Sequence, residues 1–313
     1  MPAASERYIA MKKLSIIIPT WNRAEEVLRA VNSIGPLSDD IEVIIVDNAS
    51  DQKIYDRLLN ILPKSNNIKI FQNSSNLGMI GNWNKCLSHA SGEWIGILCS
   101  DDIYNPGAIV RLMSVTCQNT VPSLILQDPQ MNEDIVRCAA GSGTLKNMRI
   151  PQCSGTFWHR KIFEEIGGFD DRFEYSGDIE YWFRAASRFP VIKVKQMFAE
   201  YRKGDESYMW DTWHKKDFLE VSARMSESIY GHMNKSGELS AEDIDKKVSV
   251  SVSDTIETIL FTTVADVRHW DLFLMYFPKY LASQAPLVKK ISLVPRLMRL
   301  VLAKLKSKIF RKK

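Results

Sequence analysis

Short apolar runs alternate with segments of helical spacing through the first two thirds of the chain. Leu14–Pro19, Ile41–Val46 and Ile95–Cys99 are nearly unbroken in aliphatic residues. That is the pattern of strands buried on both faces. Ile68–Phe71 is a shorter run of the same kind. Between them, Ala24–Ile34 sets Val27, Leu28, Val31 and Ile34 on one helical stripe, and Gly35-Pro36 stops it. Tyr55–Leu62, closed by Pro63, and a segment from about Ile80 to Ala90 read as further helices. Pro19 cannot donate within a central strand, so it is expected to mark the exit of the first one, with Thr20–Arg23 as loop. Repeated strand–helix order with right-handed crossovers predicts an α/β fold, a mostly parallel sheet flanked by helices.

Beyond Ile109 the pattern loosens. It predicts a helix, a strand near Ser123–Gln127, and a loop region holding Gly141 and Gly143. Cys153–Arg160 reads as a strand entering the helix Lys161–Ile166, which Gly167-Gly168 ends. Tyr175-Ser-Gly-Asp178 precedes a helix with Trp182, Phe183 and Ala186 on one face, and Pro190–Val194 is a late strand. After Tyr201 the composition turns to helix formers, and Asp211–Met233 and Ser240–Val267 read as long helices. The organisation expected is a sheet domain over 11–203, a helical region over 204–285, and a tail over 286–313.

The strand Ile95–Cys99 runs into Asp101-Asp102. In open α/β sheets ligands bind at the carboxyl edge of the strands. Adjacent carboxylates repel, and hard oxygen ligands suit Mg²⁺ or Mn²⁺. A divalent cation holding phosphates is therefore one reading of the pair, and an Asp-rich turn capping the helix after Asn105-Pro106-Gly107 is the other. The first and second strands also end in polar loops, so these loops should converge on one edge.

Composition changes this picture little, but charge does. The 313 residues are 45% hydrophobic and 25% charged, an ordinary globular balance. Five scattered cysteines without C-x-x-C spacing point to reduced thiols and away from a disulfide framework or a zinc site. No signal peptide and no bilayer-spanning run are apparent. The net charge of +4 conceals an asymmetry: no acid follows Asp271, and 11 Lys or Arg lie between Lys279 and Lys313. The remainder carries 41 − 11 = 30 basic against 37 acidic residues, a net of −7.

The ordered motifs resemble the inverting nucleotide-sugar glycosyltransferases of family 2, with the Rossmann-like GT-A fold. Four stretches carry the resemblance. They are Ser15-Ile-Ile-Ile-Pro-Thr-Trp-Asn-Arg23, Val46-Asp-Asn-Ala-Ser50, Asn76-Leu-Gly through Ser91-Gly-Glu to Ser100-Asp-Asp102, and Gly167-Gly-Phe-Asp-Asp-Arg-Phe173 with Gly177-Asp178-Ile-Glu180 and Arg184. Together they cover roughly Leu14–Val194. The family usually has Tyr where Trp21 stands, and two acids where Asp47-Asn48 stand.

The resemblance implies metal-dependent, inverting sugar transfer from a nucleoside diphosphate, a UDP- or dTDP-sugar, to an acceptor hydroxyl. Asp102 would be the Mg²⁺ or Mn²⁺ ligand, Asp101 a ribose or sugar contact, and Asp178 the catalytic base. From the residues alone, Asp178 reads first as a helix N-cap, a reading the resemblance reverses, and Glu180 is a nearby acid that does not share its face. Pro19, Thr20, Trp21, Asn22, Asp47, Asn48 and Asn76 would line the nucleotide pocket, with Asp47 or Asn48 reading the base. Asn82 is a weaker candidate, helix capping being the other reading of both Asn76 and Asn82. Trp158, His159 and Arg160 are candidates to face the acceptor, but with no acid partner evident His159 reads first as a surface or satisfied histidine rather than a catalyst. Arg202 and Lys203 are candidates to cover the diphosphate.

In the tail, Leu293, Leu297, Leu300, Val301 and Leu305 share a helical stripe amid basic residues. A cationic amphipathic helix fits the interface of an anionic membrane; its other use is packing on the domain or on a second copy, a homo-oligomer through the C-terminal helices. The charge comes with no nucleic-acid recognition motif. The expectation is a cytoplasmic enzyme, peripheral at the inner membrane face, acting on a lipid-linked saccharide in bacterial surface polysaccharide assembly. Rival classes are a nucleotidyltransferase, whose Gly-rich phosphate loop is missing after the first strand, and a non-catalytic nucleotide-binding or membrane scaffold protein.

Overall fold

The computed structural model describes residues 12–141, 144, 148–149, 152–200, 212, 214–234, 240–263 and 270–283. The chain divides into two compact units, Met1–Lys203 and Gly204–Lys313. The expected tail over 286–313 and the Arg202-Lys203 pair lie outside the described residues.

In the first unit, β1 (Leu14–Thr20), α1 (Ala24–Ile34), β2 (Ile41–Asp47), α2 (Gln52–Ile61), β3 (Ile68–Gln72), α3 (Gly78–His89) and β4 (Trp94–Ile97) follow in strict alternation. Then come β5 (Ile103–Tyr104), α4 (Ala108–Cys117), β6 (Leu124–Gln127), β7 (Ile135–Cys138), β8 (Thr156–His159) and α5 (Arg160–Ile166). A 3₁₀ turn (Asp171–Phe173), α6 (Gly177–Ala186), β9 (Val191–Val194) and β10 (Ala199–Glu200) complete it. The eight-stranded sheet has the order β3-β2-β1-β4-β8-β6-β9-β7. The strands β3, β2, β1 and β4 are mutually parallel. β8 then runs antiparallel to both β4 and β6, β9 is parallel to β6, and β7 is antiparallel to β9. β5 and β10 form a separate short antiparallel pair.

The strand β1 lies buried along its whole length and does not end at Pro19. Pro19 pairs with Val46, and Thr20 with Asp47. The Ile17 carbonyl accepts from Leu98 N at 3.0 Å on the β4 side, where pairing stops at Ile17 with Ile97. Alternate residues of a strand share an edge, so the missing Pro19 donor faces the edge that β4 has already left. The Thr20 carbonyl, on the other edge, accepts from Asn48 N at 2.8 Å. This carries β1 one residue further and sets Thr20 beside Asp47.

At the amino edge a buried charge ties three segments together. Glu42 accepts from Ser15 Oγ at 2.6 Å, from Ser91 N and Oγ at 2.6 and 2.7 Å, and from Lys69 Nζ at 2.8 Å. Gly92 sits so close that an added Cβ would lie 2.5 Å from Ser15 N; the Ser91-Gly92 pair is needed for this backbone approach. Burial alone would raise the Glu42 carboxyl, but the hydrogen bonds from Lys69, Ser15 and Ser91 outweigh it and hold it near 2.

The second unit contains α7 (Phe218–Met233), α8 (Ala241–Thr263) and α9 (Trp270–Ala282). Ile256, Ile259, Leu260, Leu272 and Tyr276 are buried in it, and Tyr280 donates to Glu257 at 3.0 Å. No helix among the described residues is long and apolar enough to cross a membrane.

Candidate functional site

The carboxyl ends of β1, β2 and β4 lie side by side, so the three polar loops share one rim. Asp47 ends β2 almost fully buried. Its carboxylate accepts from Ser50 N at 3.0 Å, from Ser50 Oγ, and from Gln72 Nε2 at 3.1 Å. A carboxylate has about four acceptor positions, so one remains toward the rim. Asn22, in the left-handed region with φ 53, bridges the first two loops. Its N–H donates to Ser50 Oγ at 2.7 Å, and its Oδ1 accepts from Asp51 N at 3.0 Å. Trp21 beside it is 53% exposed, and the buried Thr20 Oγ1 has no hydrogen-bond partner.

Asn48 and Asn76 are placed differently. Asn48 Nδ2 donates to Asn76 Oδ1 at 2.9 Å and to the Gly78 carbonyl at 3.1 Å. Its Oδ1 accepts from Asn73 Nδ2 at 3.0 Å and from Leu77 N at 2.9 Å. Both ends of that carboxamide are engaged. Asn76 Oδ1 also accepts from Gly78 N at 2.9 Å, which opens α3 in the manner of a capping turn. Asn82 is buried, accepting from Asn73 at 2.9 Å and donating to the Val46 carbonyl at 3.1 Å. These asparagines hold the β2 exit against α3 and the turn before it.

The exit of β4 carries the two acids in different settings. Asp101, about a third exposed, forms an ion pair with Arg23, Oδ2 to Nη1 2.5 Å. Asp102 is 4% exposed. Cys99 N donates to Ser154 Oγ at 2.8 Å, which brings the segment before β8 against this loop. Cys153 there is buried, hydrogen-bonded to Cys99, and its thiol is raised by burial and then by Cys99, Asp178 and Asp102. One thiol thus senses both Asp102 and Asp178, which places the two acids in one neighbourhood although 76 positions separate them (178 − 102).

Asp178 stands in the first turn of α6. The N-cap position is Ser176, whose side chain makes no cap bond. Loss of hydration pushes the Asp178 carboxyl up to about 6, partly offset by the N–H groups of Ile179 and Asp178 itself. The helix is seated by an aromatic cluster: Trp158 and Trp182 at 5.0 Å, Phe169 and Tyr181 at 4.5 Å, Trp83 and Phe169 at 5.1 Å between ring centres. Gly177 abuts Ile80 of α3, where an added Cβ would lie 2.6 Å from Cδ1. Glu180 pairs with Arg184 at 3.0 Å, and Arg184 also donates to the Ile166 and Gly168 carbonyls. That acid is committed to holding the Gly167-Gly168 turn.

Three acceptor candidates are structural. Trp158 is fully buried in the aromatic cluster. Arg160 donates to the Gly92 carbonyl at 2.8 Å and to the Ala90 carbonyl. His159 does have an acid partner, Glu93 at 3.5 Å, and its Nδ1 accepts from Lys161 N at the start of α5; both contacts fix the β8–α5 junction. Among residues without an assigned role in the sequence, the structure adds Arg23, Gln72, Ser50 and Cys153. Only Arg23 carried a signal, its place directly after Thr20-Trp-Asn22. Among the described residues no three His, Cys, Asp or Glu side chains converge as a metal site.

Comparison with known proteins bears on this rim. The model of glycosyl transferase family 2 matches residues 15–134. An uncharacterized glycosyltransferase of Nostoc sp. is 27% identical over 174 residues, 49% of this chain and 53% of the relative. GalNAc(5)-diNAcBac-PP-undecaprenol beta-1,3-glucosyltransferase of Campylobacter jejuni is 36% identical over 105 residues, 33% of this chain and 34% of the relative. The matches thus span about half or less of these curated relatives. Among solved structures, S. aureus TarS 1-349 superposes with a TM-score of 0.56 at 18% identity, over 92% of this chain and 83% of that one. A mannosyltransferase from Pyrobaculum calidifontis, in complex with GDP-Man and Mn²⁺, gives 0.51 at 13% identity over 96% and 88%. The sheet has the GT-A architecture.

Proposed function

We propose that this chain, whose residues 15–134 match the model of glycosyl transferase family 2, is a glycosyltransferase of that family and moves a sugar with inversion from a nucleoside diphosphate donor to an acceptor hydroxyl. The observation that carries this reading is the common neighbourhood of Asp102 and Asp178 around Cys153 at the carboxyl edge of the sheet. Asp47, with backbone groups of the β1 and β2 exits, would read the edge of a uracil or thymine, since the Asn48 amide is engaged elsewhere. Trp21 would wall the nucleoside and Thr20 Oγ1 would find a partner in it. TarS 1-349, which shares the fold, was solved with UDP-GlcNAc, in keeping with such a donor.

Asp102 would supply one hard oxygen ligand to Mg²⁺ or Mn²⁺, with diphosphate and water completing the set. When bound, the ion offsets charge developing on the departing diphosphate. Asp178 would accept the proton of the acceptor hydroxyl. The hydroxyl oxygen then bonds to the anomeric carbon from the face opposite the diphosphate, the bond to the diphosphate oxygen breaks, and the configuration inverts. A carboxylate raised toward 6 is a better base than one at its ordinary value. The acceptor in this proposal is a lipid-linked saccharide of surface glycan assembly. The Campylobacter relative's name contains such an acceptor, and the basic sequence after Lys279 suits an anionic surface.

Titration of UDP in the presence of Mn²⁺, followed by turnover with a panel of donor sugars, tests the assignment. Asp102→Asn is expected to lose metal-dependent UDP binding. Asp178→Asn is expected to keep that binding and lose transfer by about 10²–10⁴-fold. Undiminished turnover by Asp178→Asn removes that residue from the mechanism.

A further inference from the structure

The Arg23–Asp101 pair joins the exits of β1 and β4. Arg23 is 33% and Asp101 36% exposed, so both are reachable from solvent. Arg23 occupies the N-cap position of α1 without making a side-chain cap bond, so the helix does not need its guanidinium. Its backbone is held by the clasp of Asn22 to Ser50 and Asp51. Asp101 and Asp102 are neighbours in sequence, and Arg23 sets a positive charge against the first of them.

We propose that Arg23 is a positioning residue with two alternating partners: Asp101 in the empty protein, and the donor diphosphate in the loaded one. This rests on the sugar-nucleotide reading above. Once Asp102 holds a cation, a second positive charge stands next to the Arg23–Asp101 pair, and the guanidinium's planar fork matches phosphate oxygens. Arg23 on Asp101 and a divalent cation on Asp102 would therefore set two positive charges on neighbouring acids, opposing each other in the absence of nucleotide and acting together on the diphosphate in its presence. That opposition of signs separates an exchanging arginine from one that merely props the loop.

Calorimetric titration of the full chain reads both arms. Arg23→Gln is expected to bind Mn²⁺ alone severalfold more tightly than the parent protein. The same variant is expected to bind UDP, with Mn²⁺ saturating, about tenfold more weakly, the scale of one lost charge-assisted hydrogen bond. Arg23→Lys, which keeps charge but not the fork, should recover part of the UDP affinity. Weakening of both ligands by Arg23→Gln, or unchanged UDP affinity, overturns the proposal and leaves the donor assignment standing. Failure of the parent protein to bind UDP, dTDP or GDP with Mn²⁺ sinks the donor assignment, and the exchange with it.

Discussion

Burial of Asp178 acts in opposite directions on turnover and on stability. Its carboxyl is raised to about 6, so in the proposed role of base it would serve only above that value. Transfer is expected to fall with unit slope as pH drops through about 6, measured as kcat against pH with saturating donor. The stability sign is reversed. A carboxyl raised above its unfolded value costs stability while it is ionised and regains it as pH falls. Asp178→Asn should therefore raise the melting temperature at pH 7, and a lowered one would mean that the charge is locally compensated. At this scale the sequence named Asp178, Asp102 and Asp47 but could not rank Asn48 against Asp47. The ranking depends on hydrogen bonds from Asn73, Asn76 and Leu77, which approach from another loop. The satisfied reading of His159 holds, but its acid partner escaped the sequence for a similar reason, because Glu93 is 66 positions away (159 − 93) and meets it only across β4 and β8.

Among the elements, the parallel half of the sheet was legible because strands buried on both faces must be apolar throughout. β7 was not, since its residues are only partly buried, and β5 and β10 have two residues each. Pro19 misled because its penalty depends on which neighbour ends first. The Glu42 clamp at the amino edge gives a test at this scale. The carboxyl is held near 2, below its unfolded value, so its contribution is complete above the unfolded pKa of about 4.5 and drains away as pH falls toward 2. Glu42→Gln should lower stability at pH 7 by about 1–3 kcal/mol, the scale of charge-assisted hydrogen bonds lost at a buried carboxylate whose lysine partner is half exposed. Denaturant melts should show the gap between variant and parent closing in acid. A gap that stays constant from pH 7 to 3 would assign the loss to packing.

For the whole molecule, charge separates what hydropathy does not. The sequence before the last acid is net negative and everything from Lys279 onward is free of acids. Basic residues near an anionic surface contribute on the order of 1 kcal/mol each. Ending the chain after Pro286 is expected to abolish cosedimentation with vesicles containing phosphatidylglycerol while leaving UDP binding intact. The full chain should come off such vesicles as salt rises, because surface charge attraction is screened within about 10 Å at 0.1 M. Retention of the shortened chain on the vesicles would move the membrane contact elsewhere.

The engaged carboxamide of Asn48 limits which side chains this position can take. An amide offers a donor on one side and an acceptor on the other, and both are in use. An acid at that position would turn an oxygen toward the Asn76 oxygen and the Gly78 carbonyl, so it could be accommodated only if the α3 entry were rebuilt with it. Of the polar groups at this exit, Gln72 makes a side-chain contact, to Asp47, that closes no turn, so in the proposed pocket an exchange there would disturb the loops least.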